Sequence, residues 1–227
     1  MILATRLYDD FMLYLDKYGS PYFEDSEVSK FLTDAEIALI KEIFDFRSKD
    51  KQTNFKWRGK FENNSNIAIY LEPFTKLITG GMADKGRITE ANVAAGNGGR
   101  DYMYILNLFL IINDKRVECK WLRHGELAEC LRNAFTRPDE CTPKYLIYAD
   151  FLRVLPEDRK YLWEGDFIEY PLGINYDSVT PANNINSQFD EIMRTELVMR
   201  AVELATVSIR ERELNSFTTN ELDIKQV

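Results

Sequence analysis

The sequence predicts an α+β fold in which helices from the two ends of the chain pack as a helical bundle and carry a β-rich insert. Apolar residues recur at three- and four-residue steps through the first 47 residues, and again from about Ser187 to Leu214. Between these stretches lie short apolar or alternating segments bounded by turn residues, which is strand patterning. The length of 227 residues suits one large domain with a sizeable insert. The expected layout is a helical layer from 1–48 and 186–214, an insert over 49–185 with a glycine-rich loop at 80–100, and a flexible tail at 215–227.

The first helix is expected from Leu3 to Tyr18, with Leu3, Leu7, Phe11, Tyr14, Leu15 and Tyr18 on one stripe. Gly19 and Ser20-Pro21 stop it. A short helix follows over Glu27–Leu32. Another starts at Thr33, where Thr33 and Glu36 have capping-box spacing. Its buried face holds Ile37, Ile40 and Phe44, with Leu39 and Ile43 alongside.

Lys49 to Gly59 is polar and basic, which predicts an exposed loop. Ile67 to Ile78 has helical spacing but contains Pro73, which breaks or kinks a helix. Gly80 to Arg100 holds six of the eleven glycines and reads as a loop that is mobile or ordered by a partner.

Tyr102 to Ile112 is a continuous apolar run, read as a buried strand. Asn113-Asp114 is a turn signal, and Val117–Leu122 alternates, so the two segments form a hairpin. A short helix is expected over Glu126–Ala134, strands over Lys144–Leu155 and Asp166–Tyr170, and irregular chain over Gly173–Asn184. The long C-terminal helix starts near Asn186 or Ser187, either a good cap. Phe189, Ile192, Met193, Leu197, Ala201, Leu204, Ala205 and Ile209 line its buried face, opposite a solvated side of alternating Arg and Glu.

Charge narrows the function classes. The net charge is −8, and there is no basic stripe of the kind that grips phosphates. That argues against a nucleic-acid reader but not against a conduit, since repulsion keeps DNA from sticking. The aromatic content (14 Phe, 12 Tyr, 3 Trp) suits either extensive protein contacts or an aromatic core. Cys119, Cys130 and Cys141 are odd in number and have no zinc spacing, so they read as reduced thiols of an intracellular assembly. The start reads as no signal peptide, because acidic residues arrive before any apolar run. The apolar run at Leu106–Ile112 is far too short to span a bilayer.

No catalytic, cofactor-binding or metal-binding residue is assigned. His124 is the only histidine and lacks the constellation a site needs. Ala95 to Arg100 shares glycine content with a phosphate loop but not its Gly-Lys-Ser/Thr ending. Glu24, Asp25, Glu27 and Asp34 miss the calcium-loop spacing and fit favourable placement at helix N-termini.

Several local patterns occur in a recognisable order. They begin with Asp16-Lys17, Ser20-Pro21-x-Phe23, Asp25-Ser26-Glu27-Val28 and Phe31-Leu32. Gly59-x-Phe61-Glu62 and Leu77-Ile78 follow. Next come Lys120 to Leu127 and Leu131-Arg132-Asn133-Ala134-Phe135-x-Arg137-Pro138. Phe167 to Pro171, Phe189-x-Glu191-Ile192 and Ala201 to Leu204 close the series. In that order the chain resembles neck and ring structural proteins of crAss-like phages, of the head–tail adaptor type. It departs from their pattern at Ala134, where Pro is usual, at Gly125, where an acid is usual, and in the Gly80 to Arg100 loop.

The resemblance implies a virion protein, assembled in the bacterial host cytoplasm, that forms a homo-oligomeric ring between portal and tail. Such rings are commonly twelvefold. Its partners would be copies of itself, the portal protein, other neck rings and tail proteins. Genomic DNA would pass through the lumen during ejection, with no membrane involved. Ring closure would be heterologous, one flank of each subunit meeting the other flank of the next. The alternatives are a soluble small-ligand-binding protein or enzyme with a pocket near His124 and Tyr102, and a monomeric adaptor docking on a host protein.

Overall fold

The computed structural model describes residues 1–16, 23–48, 69–81, 86–96, 101–148, 151–157 and 161–224. The chain is mixed α and β with two sheets and divides into two compact units. One combines Met1–Pro73 with Pro171–Val227, and the other is Phe74–Tyr170.

The first unit is mainly helical. Helix α1 (Ala4–Asp16) buries Leu7, Phe11 and Leu15. Ile2, not Leu3, goes inward just before it: Ile2 pairs with Ser187 in an isolated bridge and is fully buried, while Leu3 is half exposed. Helix α2 is continuous from Asp25 to Ser48 and is about 36 Å long. The break expected at Thr33 does not exist. Thr33 Oγ1 donates back to Ser29 O (2.8 Å) in the preceding turn, and it accepts the Ile174 N–H (2.9 Å) from a distant segment. The buried stripe of α2 is Val28, Leu32, Ala35, Glu36, Leu39, Ile40 and Ile43, so a carboxylate occupies an inward position. Ile37 is only partly buried.

Helix α5 (Arg194–Ile224) starts later than its apolar pattern suggested, after a 3-10 turn at Glu191–Met193. Asn186 and Ser187 do not cap it. Asn186 Oδ1 instead accepts the Ala4 N–H (2.9 Å), capping α1 from the far end of the chain. Phe189, Met193, Leu197, Val198, Ala201, Val202 and Ala205 are buried, whereas Ile192 points to solvent. Helix α5 contacts both α1 and α2. It runs on to Ile224, through most of the segment expected to be a flexible tail; residues 225–227 lie outside the described residues.

The second unit holds both sheets. Strands β1 (Thr75–Gly81), β8 (Leu162–Glu169), β3 (Tyr102–Ile112) and β4 (Lys115–Glu118) form one antiparallel sheet in the order β1-β8-β3-β4. Strands β2 (Arg87–Thr89), β7 (Phe151–Leu155), β6 (Lys144–Ile147) and β5 (Lys120–Trp121) form the other, in the order β2-β7-β6-β5. Asn113 and Asp114 both take positive φ (50° and 60°) between Ile112 and Lys115, the two-residue turn that matches strand twist. The alternating segment after it divides, with β4 pairing in the first sheet and β5 in the second.

One core is shared by the two sheets: Ile78, Leu108, Leu110, Trp163 and Phe167 of the first meet Ile88, Tyr145, Leu152 and Val154 of the second. Strand β6 is buried on both faces. Tyr145 joins that core, and Leu146 joins a smaller cluster with Leu122, Cys130 and Leu155 beside helix α4 (Leu127–Arg132).

Residues 80–100 are not one loop. Gly80 and Gly81 end β1, and β2 and helix α3 (Glu90–Gly96) follow. Gly80 lies opposite Trp163 in the register, and a Cβ there would sit 2.8 Å from the indole ring. The glycine makes room for the largest core side chain, whose Nε1 donates to Gly81 O (3.2 Å). Pro73 breaks the helical pattern as expected, within a 3-10 turn (Glu72–Phe74) that leads into β1. Gly19 to Pro21, the basic loop at Lys49–Gly59, the Gly59-x-Phe61-Glu62 motif and Asn97–Arg100 lie outside the described residues.

Candidate functional site

His124 opens a 3-10 turn before α4. Its Nε2 lies 2.7 Å from Ile147 O, so the nitrogen carries the proton and donates to the carbonyl. Its ring meets Tyr148 edge-on at 4.7 Å. These contacts fasten the turn to β6. Tyr102 packs edge-on against Phe167 at 5.1 Å, in the shared core. The two residues named for a pocket are therefore spent on packing. Among the described residues, a groove of about 390 Å³ lies along α2 and α5, lined by Leu39, Glu42, Met199, Arg200 and Glu203.

The acidic residues near α2 organise its start. Glu27 Oε2 accepts the Glu24 N–H (3.3 Å), and Asp25 Oδ2 accepts the Ser178 N–H (3.1 Å). Those bonds to Ser178 hold the Asp25 carboxyl below the usual carboxylate range. Asp34 is exposed. Ala95 and Gly96 close α3. Among the described residues, no group of three or more His, Cys, Asp or Glu side chains could hold a metal ion. Also among them, no helix is long and apolar enough to cross a membrane.

The three cysteines are free thiols. Burial pushes the Cys119 thiol up to about 12. Cys130 Sγ donates to Thr136 O (3.0 Å) and accepts from Lys144 Nζ (3.0 Å). Cys141 is exposed.

Two loop tips stand out chemically, because each holds an apolar side chain in water on a turn closed by side-chain hydrogen bonds. In the second unit Phe135 is 98% exposed. Asn133 Oδ1 accepts the Phe135 N–H (3.0 Å), Asn133 O accepts from Thr136 and Arg137, and Lys144 Nζ donates to Thr136 O (2.8 Å). Asp139 then fixes the next turn by accepting from Thr142 Oγ1 and the Cys141 and Thr142 N–H groups, and these bonds lower its carboxyl pKa. In the first unit Val179 is 87% exposed. Asp177 Oδ1 accepts the Val179 (2.9 Å) and Thr180 (2.8 Å) N–H groups, and Asp177 Oδ2 accepts from Asn183 Nδ2 (3.2 Å). The Thr180 and Asn183 bonds lower the Asp177 carboxyl pKa.

Both tips are Asx-type turns, in which a side-chain oxygen takes the N–H two residues on. An apolar group left in solvent gains nothing in the isolated chain, and the hydrogen-bonded turn beneath it is backbone that a partner need not order. Asn-x-Phe and Asp-x-Val were the readable signal, since Asn and Asp favour this turn. Nothing in the sequence marks those apolar residues as exposed.

A third cluster lies inside the first unit. Glu36 is 1% exposed, and its Oε1 accepts from Ser187 Oγ (2.6 Å) and the Gln188 N–H (3.2 Å). Burial pushes its carboxyl up to about 7, against the pull of those two bonds.

No known protein-family model and no curated protein sequence matches the chain.

Proposed function

We propose that this chain is a structural protein of a phage neck that acts by docking on copies of itself and on neighbouring rings, without transforming a molecule. The order of motifs shared with crAss-like phage ring proteins suggests the class. The observation that carries the docking role is the pair of exposed apolar tips on hydrogen-bonded turns, Phe135 and Val179. In this reading α1, α2 and α5 serve as a helical bundle layer. Unit Phe74–Tyr170 offers Phe135 to an adjacent subunit or ring, the ring is twelvefold, and the acidic surface lets DNA slide through the lumen.

Phe135 belongs to the Leu131–Pro138 block on which part of the resemblance rests. The loop that displays it is braced by Lys144 from β6, so its geometry does not depend on the partner.

The test is mass photometry and negative-stain imaging of the purified chain, alone and mixed with portal protein. The expected result is rotationally symmetric particles that are lost in the Phe135→Ser variant. A monomer under every condition, with or without portal protein, would overturn the reading.

A further inference from the structure

We propose that Glu36 works as a pH-operated latch on the seam that joins residues 1–10 to residues 186–194: protonated it lets the seam close, and ionised it loosens it. The seam is built from separate contacts along its length. Ile2 and Ser187 exchange backbone hydrogen bonds (3.2 and 3.1 Å). Asn186 Oδ1 caps α1 at Ala4. Arg194 pairs with Asp10 at 2.6 Å. Glu36 reaches this seam from α2, on the same Ser187 whose backbone bridges to Ile2.

The carboxyl has only neutral partners. Among the described residues no cation lies within ion-pair distance of it; the cations of the surrounding elements pair with other acids, and α1 and α5 carry the further carboxyl groups Asp9 and Glu196. From the N-terminal side the Met1 ammonium pairs with Asp190 (3.5 Å) and Arg6 with Glu191 (3.6 Å). From α5, Arg194 pairs with Asp10 and Glu191, and Arg200 with Glu42 and Glu203. On α2 itself Lys30, Asp34 and Lys41 are exposed. An ionised Glu36 therefore places an uncompensated charge beneath the seam. Two hydrogen bonds offset only part of its desolvation. Opening the seam admits water to the carboxylate and removes that cost, so opening becomes easier as the proton leaves.

The sign follows from linkage. The carboxyl binds its proton more tightly in the closed seam (about 7) than in water (4.5). The closed form is fully favoured below the lower value and loses ground as pH rises through the upper one.

The experiment is amide hydrogen exchange at Ile2 and Ser187 from pH 5.5 to 8, corrected for intrinsic exchange, on the full chain. Protection in the wild type should fall on the order of tenfold across that range. In Glu36→Gln, which keeps the shape and cannot ionise, protection should be flat. In Ser187→Ala, which removes a bond favouring the ionised form, the midpoint should move upward. Wild-type protection that is independent of pH, or a Glu36→Gln variant that keeps the wild-type dependence, overturns the proposal. If a variant fails to fold, the carbon-13 titration of the Glu36 carboxyl in the wild type decides, and a midpoint below 5 overturns it. The reading comes from one chain in isolation, so it stands or falls independently of ring assembly.

Discussion

Among the described residues each unit buries one glutamate, and the two are handled in opposite ways. In the β unit Glu169 is 2% exposed and pairs with Lys76 at 3.0 Å across neighbouring strands. In the helical unit Glu36 is as deeply buried but is held by a hydroxyl and one backbone N–H. The difference is one of sheet against helix. On β1 the Lys76 stem can lie along the strand with its ammonium half in water, and it brings its charge to Glu169. On α2 the inward stripe faces α5 and the Ser187 segment, and the cations there are engaged elsewhere. A buried carboxylate beside a cation has part of its burial cost offset by that pair. One without is a group whose proton is negotiable near neutral pH.

Four perturbations separate these cases, from the largest effect to the smallest. Glu36→Gln should raise stability to denaturant at pH 8 by about 3 kcal/mol and change it little at pH 5. Urea titrations at the two pH values measure this, and an equal effect at both would place Glu36 with Glu169. Lys76→Met should cost about 2 kcal/mol at pH 7. That is below the cost of breaking a fully buried pair, because the Lys76 ammonium is half in solvent. The same urea midpoint reads it, and a neutral result would mean that Glu169 does not depend on the lysine. Ser187→Ala removes one hydrogen bond from Glu36 and one from the Phe189 N–H, and should cost about 1–2 kcal/mol by thermal melt. Phe135→Ser should leave the melting curve within about 0.5 kcal/mol of wild type, since the ring packs on nothing in the isolated chain. Its effect should show only in association, by light scattering.

What the sequence revealed tracks how far apart the interacting groups are along the chain. Strand Tyr102–Ile112 and its Asn113-Asp114 turn are local features and form where they were expected, although only Leu108, Leu110 and Ile112 of the strand are buried. The start of α5 was misplaced because Asn186 caps Ala4 rather than its own helix. Thr33 and Glu36 have capping-box spacing, yet each bonds to the 174–188 segment. Spacing within a window cannot reveal that. Glu36 does fall on the helical repeat of Leu32, Leu39 and Ile43, so the pattern marked its position as inward while its chemistry suggested a cap. Gly80 looked like a loop residue because the indole it accommodates enters from β8. At the candidate site the irregular chain around Asp177 was legible, but Asn133 was read as helical although the helix ends at Arg132, and the exposure of Phe135 and Val179 depends on what the folded chain leaves uncovered.

The cysteine distribution has a practical consequence. Cys119 and Cys130 are enclosed, while Cys141 is in solvent on the braced stretch that also displays Phe135. A maleimide dye added to the native chain should therefore attach at one place. Its emission would report, in real time, whatever approaches that aromatic tip.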